Sequence, residues 1–244
     1  MDKIQELQHI IDNSNNIVFF GGAGVSTASG IPDFRGIDGL YRKKYKYNPE
    51  VILSHDFFMK HVALFYEFYF DKMIYKDALP NECHKKLKEL EDASKLKAII
   101  TQNIDGLHEK AGSKNVLELH GTIYKNHCMM CGKEYNLRYM LNHKPIPTCE
   151  CNGIIKPDVV LYDEELDENT IKEAIKYIKN ADVLIVGGTS LNVQPAASFI
   201  KFYKGDKLIL INKEKTNLDY LANLIINDDI NEVFKKVSVK WHFF

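Results

Sequence analysis

The sequence predicts an α/β fold with a parallel sheet, and three observations point to it. Short apolar runs suited to buried strands recur along the 244 residues: IVFF (17–20), KAII (97–100), VLEL (116–119), VLIVGG (183–188) and KLILIN (207–212). Helical patterns lie between several of them, such as ENTIKEAIKYIKN (168–180). Strand and helix in alternation build a parallel sheet with helices on its faces. Several runs also end in small or polar groups, and open α/β sheets bind ligands at the carboxyl ends of their strands.

Taken in order, the elements begin with a helix, because Ile4, Leu7, Ile10 and Ile11 share one face. IVFFGGAGVSTASGIPDFRG (17–36) reads as a strand, a glycine-rich turn and a helix start. Small residues there admit a phosphate, which helix N-terminal N–H groups favour. The spacing of Gly22, Gly24 and Thr27 departs from the dehydrogenase fingerprint, and no strand bears an acidic residue about 20 residues on. Hydride transfer loses ground, while a dinucleotide stays in view. Residues 38–80 break the alternation with aromatics that include Tyr66, Phe68, Tyr69 and Phe70, and read as a helical insertion after a loop.

LKAIITQNIDGLHEK (96–110) carries a core strand into Thr101, Gln102, Asn103 and Asp105, a polar end where a ligand belongs. VLEL delivers His120 to the same edge, and imidazole is the commonest general base. Residues 123–155 break the alternation again, with four cysteines and little core. Cys128-x2-Cys131, 17 residues, then Cys149-x-Cys151 suits a closed tetrahedral Zn²⁺ site, structural and one per chain. His127 and His143 lie nearby and are not expected to bind metal; Cys83 reads as a small buried hydrophobe. Later strands end in Gly187, Gly188, Thr189 and Ser190, and in Asn212 and Glu214, groups suited to phosphate or ribose. One elongated ligand across four strand ends explains all of them.

Composition narrows the class. Lys plus Arg number 32 against 33 Asp plus Glu, so no net field favours nucleic acid or a membrane surface. The basic run Arg42–Lys46 reads as a solvated loop. The N-terminal stretch lacks the continuous apolar core of a secretory signal, and clustered thiols suit a reducing compartment, so a cytoplasmic protein is expected.

GAGVSTASGIPDFRG, TQNIDGLH, LHGT, the paired cysteines, KPDVVLYDE and GGTSLNVQPAA stand in the order seen in sirtuins, the NAD-dependent protein lysine deacylases. The chain resembles the bacterial type of that family over essentially its whole length. The resemblance implies a Rossmann-like parallel sheet domain (1–37, 81–122 and 156–244) with a smaller domain made of a zinc-binding module (123–155) and a helical insertion (38–80). It implies NAD as co-substrate and acylated-lysine proteins or peptides as partners, the acyl group passing to ADP-ribose as nicotinamide and free lysine are released. His120 matches the catalytic base; Gly22, Ala23, Gly24, Ile31, Asp33, Phe34, Arg35, Gln102, Asn103, Ile104 and Asp105 match cofactor contacts. Gly188, Thr189, Ser190, Asn212, Lys213, Glu214 and Ile230 match its phosphate and adenosine end.

The peptide is expected to add as a strand between stretches holding Val160, Leu161 and Tyr162 on one side and Leu191 and Val193 on the other. Asp163 replaces the family's usual Gly, and Tyr162 stands where Phe is frequent. Tyr69 and Lys72 match the positions of a Tyr-x-x-Arg motif that selects succinyl groups, with Lys in place of Arg, so acetyl is expected to be preferred. Three alternatives compete: protein mono-ADP-ribosyl transfer with the same cofactor, a nicotinamide dehydrogenase, and a zinc-ribbon binding module. Keeping both TQNID and His120 favours deacylation.

Overall fold

The structure, a computed structural model, describes residues 2–34, 36, 39–42 and 45–240. Nine strands lie among them: β1 (Ile17–Gly21), β2 (Leu96–Thr101), β3 (Val116–Glu118), β4 (Gly121–Cys128), β5 (Glu134–Asn136), β6 (Ile155–Val159), β7 (Val183–Gly187), β8 (Leu208–Ile211) and β9 (Leu224–Ile226). The α-helices are α1 (Lys3–Asp12), α2 (Pro49–Ile52), α3 (His55–Lys60), α4 (Val62–Lys72), α5 (Glu82–Asp92), α6 (Leu107–Lys110), α7 (Leu137–Asn142), α8 (Glu168–Asn180) and α9 (Ile230–Lys235).

Six strands form one parallel sheet in the order β3-β2-β1-β7-β8-β9. Counted within the sheet this is 3-2-1-4-5-6, the Rossmann order, and its direction of winding reverses between β1 and β7. The central strands are buried throughout because both faces are covered. Ile17 and Phe19 of β1 point into a core with Leu7 and Ile11 of α1, Leu87 and Leu90 of α5 and Val233 and Phe234 of α9. Val18 and Phe20 point the other way, into a core with Ala174 and Ile178 of α8 and Phe199 and Ile200 of the 3₁₀ helix Ala196–Phe202.

Two expectations need correcting. Among the described residues no α-helix starts directly after β1: two 3₁₀ turns, Ala23–Val25 and Thr27–Ser29, follow instead. The reason is that the turn is held sideways by its neighbour. Gly24 N donates to Gly188 O at 2.8 Å and Gly22 N to Gly187 O at 3.3 Å, and the second turn closes on Gly30 in the left-handed region. The cysteine stretch is also not poor in core. Strands β5-β4-β6 make an antiparallel sheet whose Ile123, Tyr135 and Ile155, with Leu137 and Met140 of α7, share one apolar cluster with Phe58, Phe65, Tyr66 and Tyr69 of the helical insertion. The two interruptions of the α/β frame are thus one body. Hydrophobicity alone hides this, because each half leaves its apolar face open until the other covers it.

Among the described residues no helix is long and apolar enough to cross a membrane.

Candidate active site

The carboxyl ends of β1, β2, β3, β7 and β8 bring most of the expected residues to one edge of the sheet. At the reversal point the loops after β1 and β7 touch directly. A Cβ on Gly24 would lie 2.8 Å from Gly188 Cα, and one on Gly188 would lie 2.5 Å from Val25 N. Gly188 has φ +60°, a conformation that a side chain strains. Glycine is therefore needed here for loop against loop as well as for any phosphate.

β2 supplies the polar floor. Gln102 N donates to Gly21 O at 3.0 Å, and Gln102 Nε2 donates to Thr189 Oγ1 at 3.0 Å, spanning from β2 across β1 to the β7 loop. Asn103 Nδ2 donates to Ser26 Oγ at 3.1 Å, and Ser26 Oγ donates to Asp105 Oδ2 at 2.6 Å. Leu107 N donates to Asp105 Oδ1 at 2.9 Å. Burial pushes the Asp105 carboxyl above its ordinary range, against the pull of the Ser26 and Leu107 bonds. Each carboxylate oxygen keeps a lone pair for a further donor. Ile104 packs at the edge of the aromatic core, and its carbonyl accepts from Ile123 N at 3.1 Å.

His120 lies between β3 and β4, with Nδ1 2.9 Å from Gln102 O. A carbonyl can only accept, so Nδ1 carries the proton and Nε2 of the neutral ring holds the lone pair. Burial lowers the His120 pKa, and the bond to Gln102 opposes it, so the ring is neutral at pH 7.

On the far side, Thr189 N donates to Asn212 Oδ1 at 2.9 Å, while Asn212 Nδ2 is buried without a partner among the described residues. Ile230 packs under Gly187, its Cδ1 2.2 Å from where a Cβ would sit. Ser190, Lys213 and Glu214 are exposed at this end, and Lys213 pairs with Asp229 at 2.8 Å. In the loop after Gly30, Ile31 N donates to Ser26 O at 3.3 Å, Asp33 Oδ1 accepts from Gly36 N at 2.9 Å, and Phe34 meets Tyr41 edge to face at 5.5 Å. Ala23 opens the first 3₁₀ turn. Arg35 lies outside the described residues, as do Lys43 and Lys44 of the basic run. The crevice offers an elongated ligand small residues at its reversal point, an orphaned amide at one end and a carboxylate at the other. That donor set fits a dinucleotide.

The four thiols also fit their expected metal. Sγ atoms of Cys128, Cys131, Cys149 and Cys151 all lie within 4.8 Å of one another, with Cys128–Cys151 at 3.4 Å and Cys131–Cys149 at 3.5 Å. A tetrahedral zinc with bonds of ~2.3 Å separates its sulfurs by about 3.8 Å. Tyr135 Oη donates to Cys149 Sγ at 3.0 Å, and Met130 N to Cys128 Sγ at 3.4 Å, as suits thiolates. His127 is instead paired with Asp158, and His143 stacks on Tyr139. Cys83 is buried in the core on α5.

Tyr69 lies wholly inside the aromatic cluster, stacked on Phe65, its hydroxyl without a partner among the described residues. Lys72 is committed to Asp71 at 2.7 Å. The pair is not presented together as a grip for a carboxylate. Val160 N donates to His120 O at 3.0 Å, which places the stretch Val160–Tyr162 beside the histidine. Leu161 and Leu191 are buried, and Val193 O accepts from Ala197 N at 2.9 Å. Three residues of this network escaped notice in the sequence. Ser26 was hidden inside a glycine turn. Asn81, whose Nδ2 donates to Val25 O at 2.7 Å and Ser29 Oγ at 3.0 Å, also caps α5. Its only signal was a polar residue before a helical run. Tyr41 had none.

The Sir2 family model matches residues 22–195. The chain belongs to the Sir2 family. Its similarity to other Sir2 proteins extends beyond that segment. It is 57% identical to a Clostridium acetobutylicum protein named NAD-dependent protein deacetylase, over 97% of this chain and 98% of that one. A Cutibacterium acnes protein of the same name is 44% identical over 96% of this chain and 97% of its own length. Among solved structures, a Sir2 variant with deacetylated p53 peptide and 3′-O-acetyl ADP ribose superposes with a TM-score of 0.90 at 36% identity, covering 96% of this chain and 97% of that one. A Sir2 complex with p53 peptide and NAD+ gives 0.85 at 37% identity, covering 97% of each.

Proposed function

We infer that this Sir2 chain is an NAD-dependent protein lysine deacetylase that passes the acyl group of an acylated lysine to ADP-ribose. The observation that carries the reading is the tautomer of His120: a buried neutral imidazole, its Nδ1–H held by Gln102 O, with Nε2 left as the proton acceptor. Relatives that cover nearly the whole chain are named for this activity, and a Sir2 neighbour holds an acetyl-ADP-ribose with a deacetylated peptide.

When bound, NAD would supply the ADP-ribosyl acceptor for the acyl group, with nicotinamide as its leaving group. Gln102 and Asn103 would hold the ribose next to His120, and Asp105 with Ile31 would hold the carboxamide, its N–H groups donating to the carboxylate. His120 Nε2 takes a proton from a ribose hydroxyl and so raises its nucleophilicity; such a base contributes ~10²–10⁴-fold. Phe34, on the loop with Asp33, would shield the sugar from water. Gly22, Ala23, Gly24, Gly188, Thr189 and Ser190 would take the phosphates, and Asn212, Lys213, Glu214 and Ile230 the adenosine end. A peptide would lie between Val160–Tyr162 and Leu191–Val193, where the N–H groups of Val160, Leu161 and Tyr162 are already taken by His120 O, Glu164 and Leu53 O. One zinc on the four cysteines would brace the small sheet without joining the chemistry.

His120→Ala should abolish turnover of an acetyl-lysine peptide with excess NAD while circular dichroism and zinc content stay those of the parent. Activity within tenfold of the parent would remove His120 from the mechanism. ADP-ribosyl transfer to protein is the second reading; it predicts a peptide that keeps its acetyl group and gains ADP-ribose.

A further inference from the structure

The stretch proposed to receive peptide and the loop proposed to cover the cofactor are joined by two side chains. Tyr41 Oη and Tyr162 Oη lie 2.5 Å apart, a short hydroxyl pair. The two ends differ in how they are held. Tyr162 is fixed by backbone: its N donates to Leu53 O at 2.9 Å, and His55 N donates to its O at 2.9 Å, tying it to the start of α3. The next residues are fixed too. Asp163 takes the left-handed region with φ +71°, and Glu164 receives Leu161 N at 2.9 Å, Lys156 Nζ at 3.0 Å and His55 Nδ1 at 2.8 Å.

Tyr41 is instead part of the cofactor loop. Its N donates to Phe34 O at 2.9 Å, Leu40 N donates to Asp33 O at 2.9 Å, and its ring meets the Phe34 ring. Whatever holds Tyr41 therefore holds Asp33 and Phe34. A phenylalanine at 162 would pack in the same place and offer no hydroxyl.

We propose that Tyr162 and Tyr41 are positioning residues whose hydroxyl bond couples the acyl-lysine groove to the cofactor loop, so that each ligand strengthens the binding of the other. The proposal rests on the deacetylase reading. A peptide strand laid along Val160–Tyr162 narrows the freedom of the Tyr162 side chain. The latch passes that restraint to Tyr41 and on to Phe34. A ligand that favours the bonded arrangement at one site therefore favours it at the other. By linkage the effect is reciprocal.

The test uses ADP-ribose, which binds the cofactor crevice but has no nicotinamide to lose. Its affinity is measured calorimetrically with and without saturating acetyl-lysine peptide, for the parent, Tyr41→Phe, Tyr162→Phe and the double variant. The parent should bind ADP-ribose more tightly with peptide present. Each single variant should reduce that ratio by about two- to tenfold, the range of one neutral hydrogen bond. The double variant should lose no more than either single, and all four should keep the same circular dichroism. A parent without coupling, single variants that keep the parent ratio, or a double variant whose loss is the product of the singles would overturn the latch. A parent that binds no ADP-ribose would remove the cofactor reading and the latch with it.

Discussion

At the scale of single residues, the protein sets two kinds of histidine against each other. His120 is poised by one bond, and its pH dependence follows in sign. The neutral ring is the working form, burial lowers its pKa below the ordinary 6.5, and activity falls only as protons return. The acid limb of kcat/KM for an acetyl peptide should therefore lie below pH 6.5, and a limb at or above that value would contradict the buried placement. His84 and His108 sit behind the site with ring centroids 4.7 Å apart, and neither nitrogen of His108 has a partner among the described residues. Burial lowers both, His84 to about 4 and His108 well below the ordinary 6.5, the latter with help from His84. The unfolded chain thus binds more protons below pH 6.5, so stability is full above that point and is lost as pH falls toward 4. Each histidine contributes a slope of at most ~1.4 kcal/mol per pH unit. Urea melts from pH 7.5 to 5 should show it, and His108→Phe, which keeps an aromatic ring beside Phe19, should flatten it. His120 was legible in the sequence because a strand ends on it. The buried pair was not, since each histidine lies on a helix whose depth depends on the other.

Elements were legible where a single face or run decides them. The five apolar runs all became strands, and α8 keeps the bounds 168–180 that its pattern shows. β9 is three residues long, too short to stand out; β4 and β5 carry polar residues because they alternate between core and solvent, and β6 is buried almost throughout in spite of Lys156 and Asp158. A contact no pattern reveals joins α1 to β2. The side chain of Lys95 is buried, and its Nζ donates to Ile11 O at 3.1 Å, Asp12 O at 3.0 Å and Ser14 O at 3.0 Å, closing the carboxyl end of α1. A cation with three donors suits a helix end that presents carbonyls. Lys95→Met should cost about 2–4 kcal/mol in chemical denaturation, since the carbonyls lose their partner and stay buried. A cost under about 0.5 kcal/mol would mean that water reaches them. Gly188→Ala tests the loop contact: with φ +60° and a backbone nitrogen 2.5 Å from the new methyl, it should lower both stability and ADP-ribose affinity.

For the molecule as a whole, the two sheets divide the work. The six-stranded sheet presents the crevice, and the small sheet with the helical insertion forms a wall whose core depends on the thiol cluster. Cys128 and Cys149 themselves belong to that core. Metal loss should therefore loosen the wall that carries Val160–Tyr162, and Cys128→Ser should lose zinc and much stability, because binding to a structural site is coupled to folding. Cys83→Ser, in the core of the other body, should keep its zinc. Passage of the acyl group to ADP-ribose under the action of His120 is read by mass spectrometry of one reaction, with purified chain, NAD and an acetyl-lysine peptide. Free lysine peptide, nicotinamide and O-acetyl-ADP-ribose should form in equal amounts, and none of them with His120→Ala. A peptide that retains its acetyl group and gains ADP-ribose, or one deacetylated while NAD stays intact, would contradict it.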